Sequence, residues 1–163
     1  CASRRQKRHR EGKRRLKRDD MSVLQLGVTV LADNYGEDRY CYEIVVCTGH
    51  RRHAGTRSKV RFVVVGDADE TGVRTFSASH RRMFERGGVD AFVMSVPRSL
   101  GSLNYVRLWH DNSGGGSWSS WFVKYVVVRD LQTLQKWHSV CQRWLAVDED
   151  DGQVSDDGSV MRP

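Results

Sequence analysis

Wherever this chain is apolar, apolar and polar positions alternate with a period of two, and no long window keeps the i, i+3, i+4, i+7 stripe of an amphipathic helix. Such alternation predicts strands that bury one face. Leu24, Leu26, Val28 and Val30 line one side of a first segment, and Tyr40, Tyr42, Ile44 and Val46 line one side of a second. Asp33-Asn34-Tyr35-Gly36 makes the turn between them. Val60, Phe62 and Val64 alternate with Arg61, Val63 and Val65 in a third strand that stops at Gly66. Val73 and Phe76 are too sparse to define a strand, and Phe84 to Gly88 reads as a turn or short helical stretch. Extended pattern resumes over 89–96 until Pro97 and Gly101 break it, and again over 103–110. Beyond the Gly/Ser-rich loop 111–120, segments 122–128 and 136–141 read as a pair of strands, and 144–147 as a last short one. Short strands without intervening helices predict an all-β, two-sheet sandwich, with a closed barrel as the alternative.

Charge changes this picture only at the ends. The 163 residues, 39% of them hydrophobic, suit one domain with a real core. The net charge of +7 is concentrated in residues 1–18, which hold ten Lys or Arg against Glu11 alone, so the rest of the chain sums to −2. Asp148, Glu149, Asp150, Asp151, Asp156 and Asp157 form an acidic tail opposed only by Arg162. Both ends are expected to be solvated flanks. The expected division is a basic segment 1–20, a lead-in or edge strand 21–39, the sandwich 40–148 and an acidic linker 149–163. The four cysteines (Cys1, Cys41, Cys47, Cys141) contain no CxxC pair and suit a reducing compartment, where they pack as small hydrophobes. No apolar run approaches the roughly 20 residues of a membrane helix, and no signal-peptide pattern follows the basic head.

Four blocks of sequence, in order and at fitting intervals, resemble a known family. They are Tyr40-Cys-Tyr-Glu-Ile-Val-Val-Cys-Thr-Gly49, Phe84-Glu-Arg-Gly-Gly-Val-Asp-Ala-Phe92, Leu100 through Trp109-His-Asp-Asn-Ser-Gly114, and Ser120-Trp-Phe-Val-Lys-Tyr-Val-Val-Val-Arg-Asp130 followed by Lys136-Trp-His138 and Trp144-Leu-Ala-Val-Asp148. These resemble the PLAT domain of polycystin-1-like proteins. The resemblance implies a PLAT/lipoxygenase-homology antiparallel β-sandwich, C2-like, of two four-stranded sheets. It further implies a module at the cytoplasmic face of a plasma or ciliary membrane, between the first and second spans of a multi-pass receptor or ion-channel subunit. The basic head would then be a juxtamembrane segment, and the partners would be anionic phospholipid, cytoplasmic proteins and the parent protein.

Within that frame, the loop His50 to Lys59 carries Arg51, Arg52, Arg57 and Lys59 with two histidines among small residues, a composition suited to the head groups of phosphatidylserine or a phosphoinositide. Thr56 and Ser58 are expected to add hydrogen bonds, and Trp118 to reach the head-group level. Trp121 is read as capping the sandwich, and Trp109, Trp137 and Trp144 as core. Phosphorylation at Ser22, Ser58 or Ser77 would add charge of the wrong sign for such a contact. Calcium is the one candidate cofactor. Asp111 and Asn112 are the candidate ligands, short of the six to eight oxygens calcium takes unless Asp67, Asp69 and Glu70 join them from the same end of the sandwich. No G-x-S-x-G elbow or paired carboxylates suggest an enzyme. The basic head lacks the aromatic interleaving of a nucleic-acid surface.

Overall fold

In the computed structural model, residues 27–145 and 159–162 are described. The basic segment 1–20, Leu24 and Leu26 of the lead-in, Ser22, and residues 146–158 lie outside them. The strands are β1 (Val28–Val30), β2 (Tyr40–Thr48), β3 (Val60–Gly66), β4 (Arg74–Thr75), β5 (Val89–Val96), β6 (Leu103–His110), β7 (Trp121–Asp130), β8 (Lys136–Leu145) and β9 (Ser159–Met161). They form two sheets, ordered β1-β5-β2-β7-β8 and β4-β3-β6-β9.

The sandwich is the one expected, with five and four strands rather than four and four. Each sheet has a short strand at one edge, β1 in the larger and β9 in the smaller. Val28–Val30 runs parallel to β5, with Val28 opposite Ala91, which makes this the one parallel pairing among the described strands. Ser159–Met161, inside the segment expected to be an acidic linker, pairs antiparallel with β6, Val106 opposite Met161. The segments read as separate strands over 136–141 and 144–147 are one strand. Its register slips opposite Val123/Tyr125, and Gln142 takes a left-handed φ of 50°.

Alternation places the core as the pattern required. Tyr42, Ile44 and Val46 of β2 face Val60, Phe62 and Val64 of β3, all of them buried. Phe62, Phe76, Phe84, Phe92 and Trp121 form one aromatic cluster, with Phe62 stacked on Phe76 at 4.2 Å and Phe84 tilted on Trp121 at 4.7 Å. Its polar edges are satisfied: Trp121 Nε1 donates to Thr48 Oγ1 at 3.0 Å, and the Leu100 amide donates to the Tyr42 hydroxyl at 3.0 Å. Trp121 is therefore core, with no exposure, whereas Trp144 is 41% exposed. Trp109 and Trp137 are half-buried, and Trp137 packs against the core.

Candidate functional site

The loop between β2 and β3 is held from below by its own backbone. The Gly49 amide donates to Phe122 O and the Phe122 amide to Ala54 O, both at 2.9 Å, so the end of β2 and the start of β7 clasp the loop between them. The Thr56 amide donates to Phe84 O at 3.0 Å, and the Gly87 amide to Gly49 O at 2.9 Å. Arg86 Nε adds a bond to His50 O at 2.7 Å. Three loops, 49–59, 84–88 and 111–120, thus close one end of the sandwich.

This anchoring divides the loop's residues. Ala54, Gly55, Thr56 and Ser58 are buried, while His50, Arg51, Arg52, His53, Arg57 and Lys59 stay exposed. The hydroxyls expected to meet a head group work inward instead. Thr56 Oγ1 donates to Trp118 O at 2.8 Å and accepts the Ser58 amide at 3.1 Å, and Ser58 Oγ accepts the Gly114 amide at 3.0 Å. Ser58, buried by the same bonds, is poorly placed for phosphorylation. The glycine run serves this contact: a Cβ on Gly114 would stand 2.4 Å from Trp118 O, and Gly115 and Gly116 have φ of 66° and 52°, where glycine alone is unstrained.

Two of the exposed cations lie on aromatic rings. The Arg57 guanidinium sits 4.2 Å from the Trp118 ring centroid and that of Arg51 4.5 Å from Phe122. Phe122 meets Trp144 edge-on at 5.3 Å. Trp118, on a short 3-10 turn over Gly116–Trp118, is 37% exposed. Thr56, Arg57, Ser58, Arg82, Met83, Phe84, Glu85 and Trp118 line an open cleft of about 350 Å³. Sequence reasoning missed Arg82, Met83 and Arg86, because the 80s segment carries no pattern of its own. It is held by Asp90, which accepts from Arg81 Nη1 and, at 2.8 Å, from the Phe84 amide. The core expectation for Trp144 is not met: it lies in phase with the outward His138 and Val140 of β8 rather than with the buried Ser139, Cys141 and Leu145.

Asp111 and Asn112 serve the turn. Asp111 Oδ1 accepts the Lys59 amide at 3.1 Å and the Ser113 amide at 3.0 Å. Desolvation pushes the Asp111 carboxyl up, but hydrogen bonds from the Ser113 side chain and amide and from Lys59 outweigh it and hold the carboxyl below its ordinary value. Asn112 has φ of 58°, and its amide donates to His110 Nδ1 at 3.2 Å. The buried His110 in turn gives Nε2–H to Leu145 O at 2.8 Å. Asp67, Asp69 and Glu70 follow the far end of β3, about 20 Å away. They do not join Asp111, and no group of three or more His, Cys, Asp or Glu suited to a metal occurs among the described residues.

A sandwich of this topology, closed at one end by cationic loops with aromatic side chains, matches a described class of domain. The chain belongs to the PLAT/LH2 domain family, whose model matches residues 42–156. Within the family it is related to the polycystins: it is 42% identical, over 85% of its length, to human Polycystin-1-like protein 3, of which it spans 8%. It is 38% identical over 68% of its length to human Polycystin-1, of which it spans 2%. The fold is also that of the coral 8R-lipoxygenase crystal structure, with a TM-score of 0.63 at 23% identity over 76% of this chain and 17% of the other.

Proposed function

We propose that this PLAT domain docks on anionic phospholipid, phosphatidylserine or a phosphoinositide, through the loop end of the sandwich, and performs no catalysis of its own. The observation that carries this reading is the outward display of Arg51, Arg52, Arg57 and Lys59, with His50 and His53, on a loop whose Ala54, Gly55, Thr56 and Ser58 are buried and anchor it. Trp118 and Trp144 stand beside them as amphipathic rings suited to the head-group level. PLAT domains in general associate with membranes and lipids. In a polycystin-like membrane protein such docking would hold the module at the cytoplasmic face and tune the parent's placement or signalling.

Each cation near an anionic surface contributes about 1 kcal/mol at modest salt. Arg51→Ala, Arg52→Ala and Arg57→Ala together should therefore weaken binding by about a hundredfold. The test is co-sedimentation of residues 19–163, which lack the basic head, with neutral and anionic liposomes over a salt series. Binding should be confined to anionic liposomes, fall with salt and be lost in the triple variant. Equal binding by the variant would reject the site, and dependence on added calcium would return the weight to loop oxygens such as those of Asp111.

A further inference from the structure

An antiparallel sheet at the outside of a sandwich ordinarily turns polar side chains to solvent. The five-stranded sheet turns out valines. On β2, Val45 points away from the core side occupied by Tyr42, Ile44 and Val46, and its register neighbours on either side are Ala91 of β5 and Val127 of β7. The rims of this face are open: Val30 is 66% and Val140 65% exposed. In its midst the register partners Glu43 and Arg129 form an ion pair at 3.5 Å. Arg129 Nε is buried and has no hydrogen-bond partner.

We propose that this face is the contact surface between two copies of the chain. A two-fold axis lying in the contact plane, along the strands and between β2 and β7, sets each Glu43 opposite the other copy's Arg129. The same operation lays Val127 over the other copy's Val45 and Tyr125 over its Cys47. A surface with Glu43 and Arg129 either side of the axis, flanked by valines and, on the β8 margin, by the exposed Lys136 and His138, is self-complementary at its centre, as an isologous contact requires. Five strands at their usual spacing, with two outward residues on β1 and about three on each of the others, present on the order of 500 Å² per copy. Two copies then bury about 1,000 Å², the lower limit for a specific interface, so the dimer is weak and reversible. The inference is independent of lipid docking, which uses the loops at the end of the sandwich.

The test is sedimentation equilibrium of the full 163-residue chain from micromolar to millimolar concentration. Concentration-dependent dimers are expected. Glu43→Arg and Arg129→Glu, each checked for native circular dichroism, should separately weaken association more than about tenfold, because each sets like charges opposite one another. Mixing the two variants in equal amounts should restore dimers, since the mixture pairs two arginines with two glutamates. A wild-type chain that stays monomeric throughout would overturn the proposal and leave the face to a different partner. So would dimers that both substitutions leave intact, which would place association on an edge strand such as β1 or β8. Failure of the mixture to associate would overturn it as well.

Discussion

Asp90 connects the core to the loop end through a single carboxylate. One oxygen takes Arg81, the other takes the Phe84 amide, and Phe84 in turn lies in the aromatic cluster beneath the loops. Asp90→Ala should cost about 2–3 kcal/mol, because it leaves a partly buried guanidinium and a buried amide without an acceptor. Urea unfolding of variant and wild type measures this. Cysteine chemistry is likewise a matter of single side chains. Burial, partly offset by Arg143 and a backbone bond, pushes the Cys141 thiol up to about 11 from an ordinary value of 9.0. A group raised in this way contributes stability that is fully present below pH 9 and is lost as pH climbs toward 11. A pH series of urea midpoints should therefore fall more steeply over that interval in the wild type than in Cys141→Ala. At this scale the sequence was informative about type and silent about direction. The charges of Arg51 and Arg57 could be read directly, but nothing in Thr56 or Ser58 announced that their hydroxyls would turn inward. That depends on Trp118 O and the Gly114 amide, more than fifty residues away in the chain.

Among the elements, strands whose two faces differ were legible, whereas the short edge strands β4 and β9 were not. Tyr42, Ile44 and Val46 mark β2 because a one-residue slip would put all three in water. β4 has only two residues and owes its place to pairing with β3, so no local pattern could define it. β8 shows how side-chain phase decides burial: Ser139, Cys141 and Leu145 turn inward, whereas Trp144, in phase with His138 and Val140, lies outward with its ring against the buried Phe122. Tryptophan emission separates the outcomes. Trp121→Ala should cost about 3–5 kcal/mol by emptying the core. Trp118→Ala and Trp144→Ala should change stability by about 0.5 kcal/mol or less, as for exposed positions. If the loop end meets lipid, those same two substitutions should remove most of the blue shift seen on adding anionic liposomes.

For the whole molecule, the order of strands could not be obtained from alternation, which is the same for a sandwich and a barrel. The resemblance favoured the sandwich over the barrel without giving the order, and the family match supports that choice. What neither supplied was the far boundary. The match ends at residue 156, and β9 begins at Ser159. β9 covers the side of β6 that would otherwise be the margin of the four-stranded sheet, with Val160 opposite Arg107. Ser139 Oγ on β8 also donates to Arg162 O at 2.6 Å, tying the end of this segment to the other sheet. A chain cut where the family pattern stops would leave a row of unused amides and carbonyls along β6, a ready template for pairing between molecules. Such a shortened protein should precipitate or elute as polydisperse aggregates in size-exclusion chromatography, whereas the chain carried through Arg162 elutes as discrete species. Where this domain is severed for expression thus decides whether it stays in solution, and the last few residues, which lie past the end of the family match, are the ones to keep.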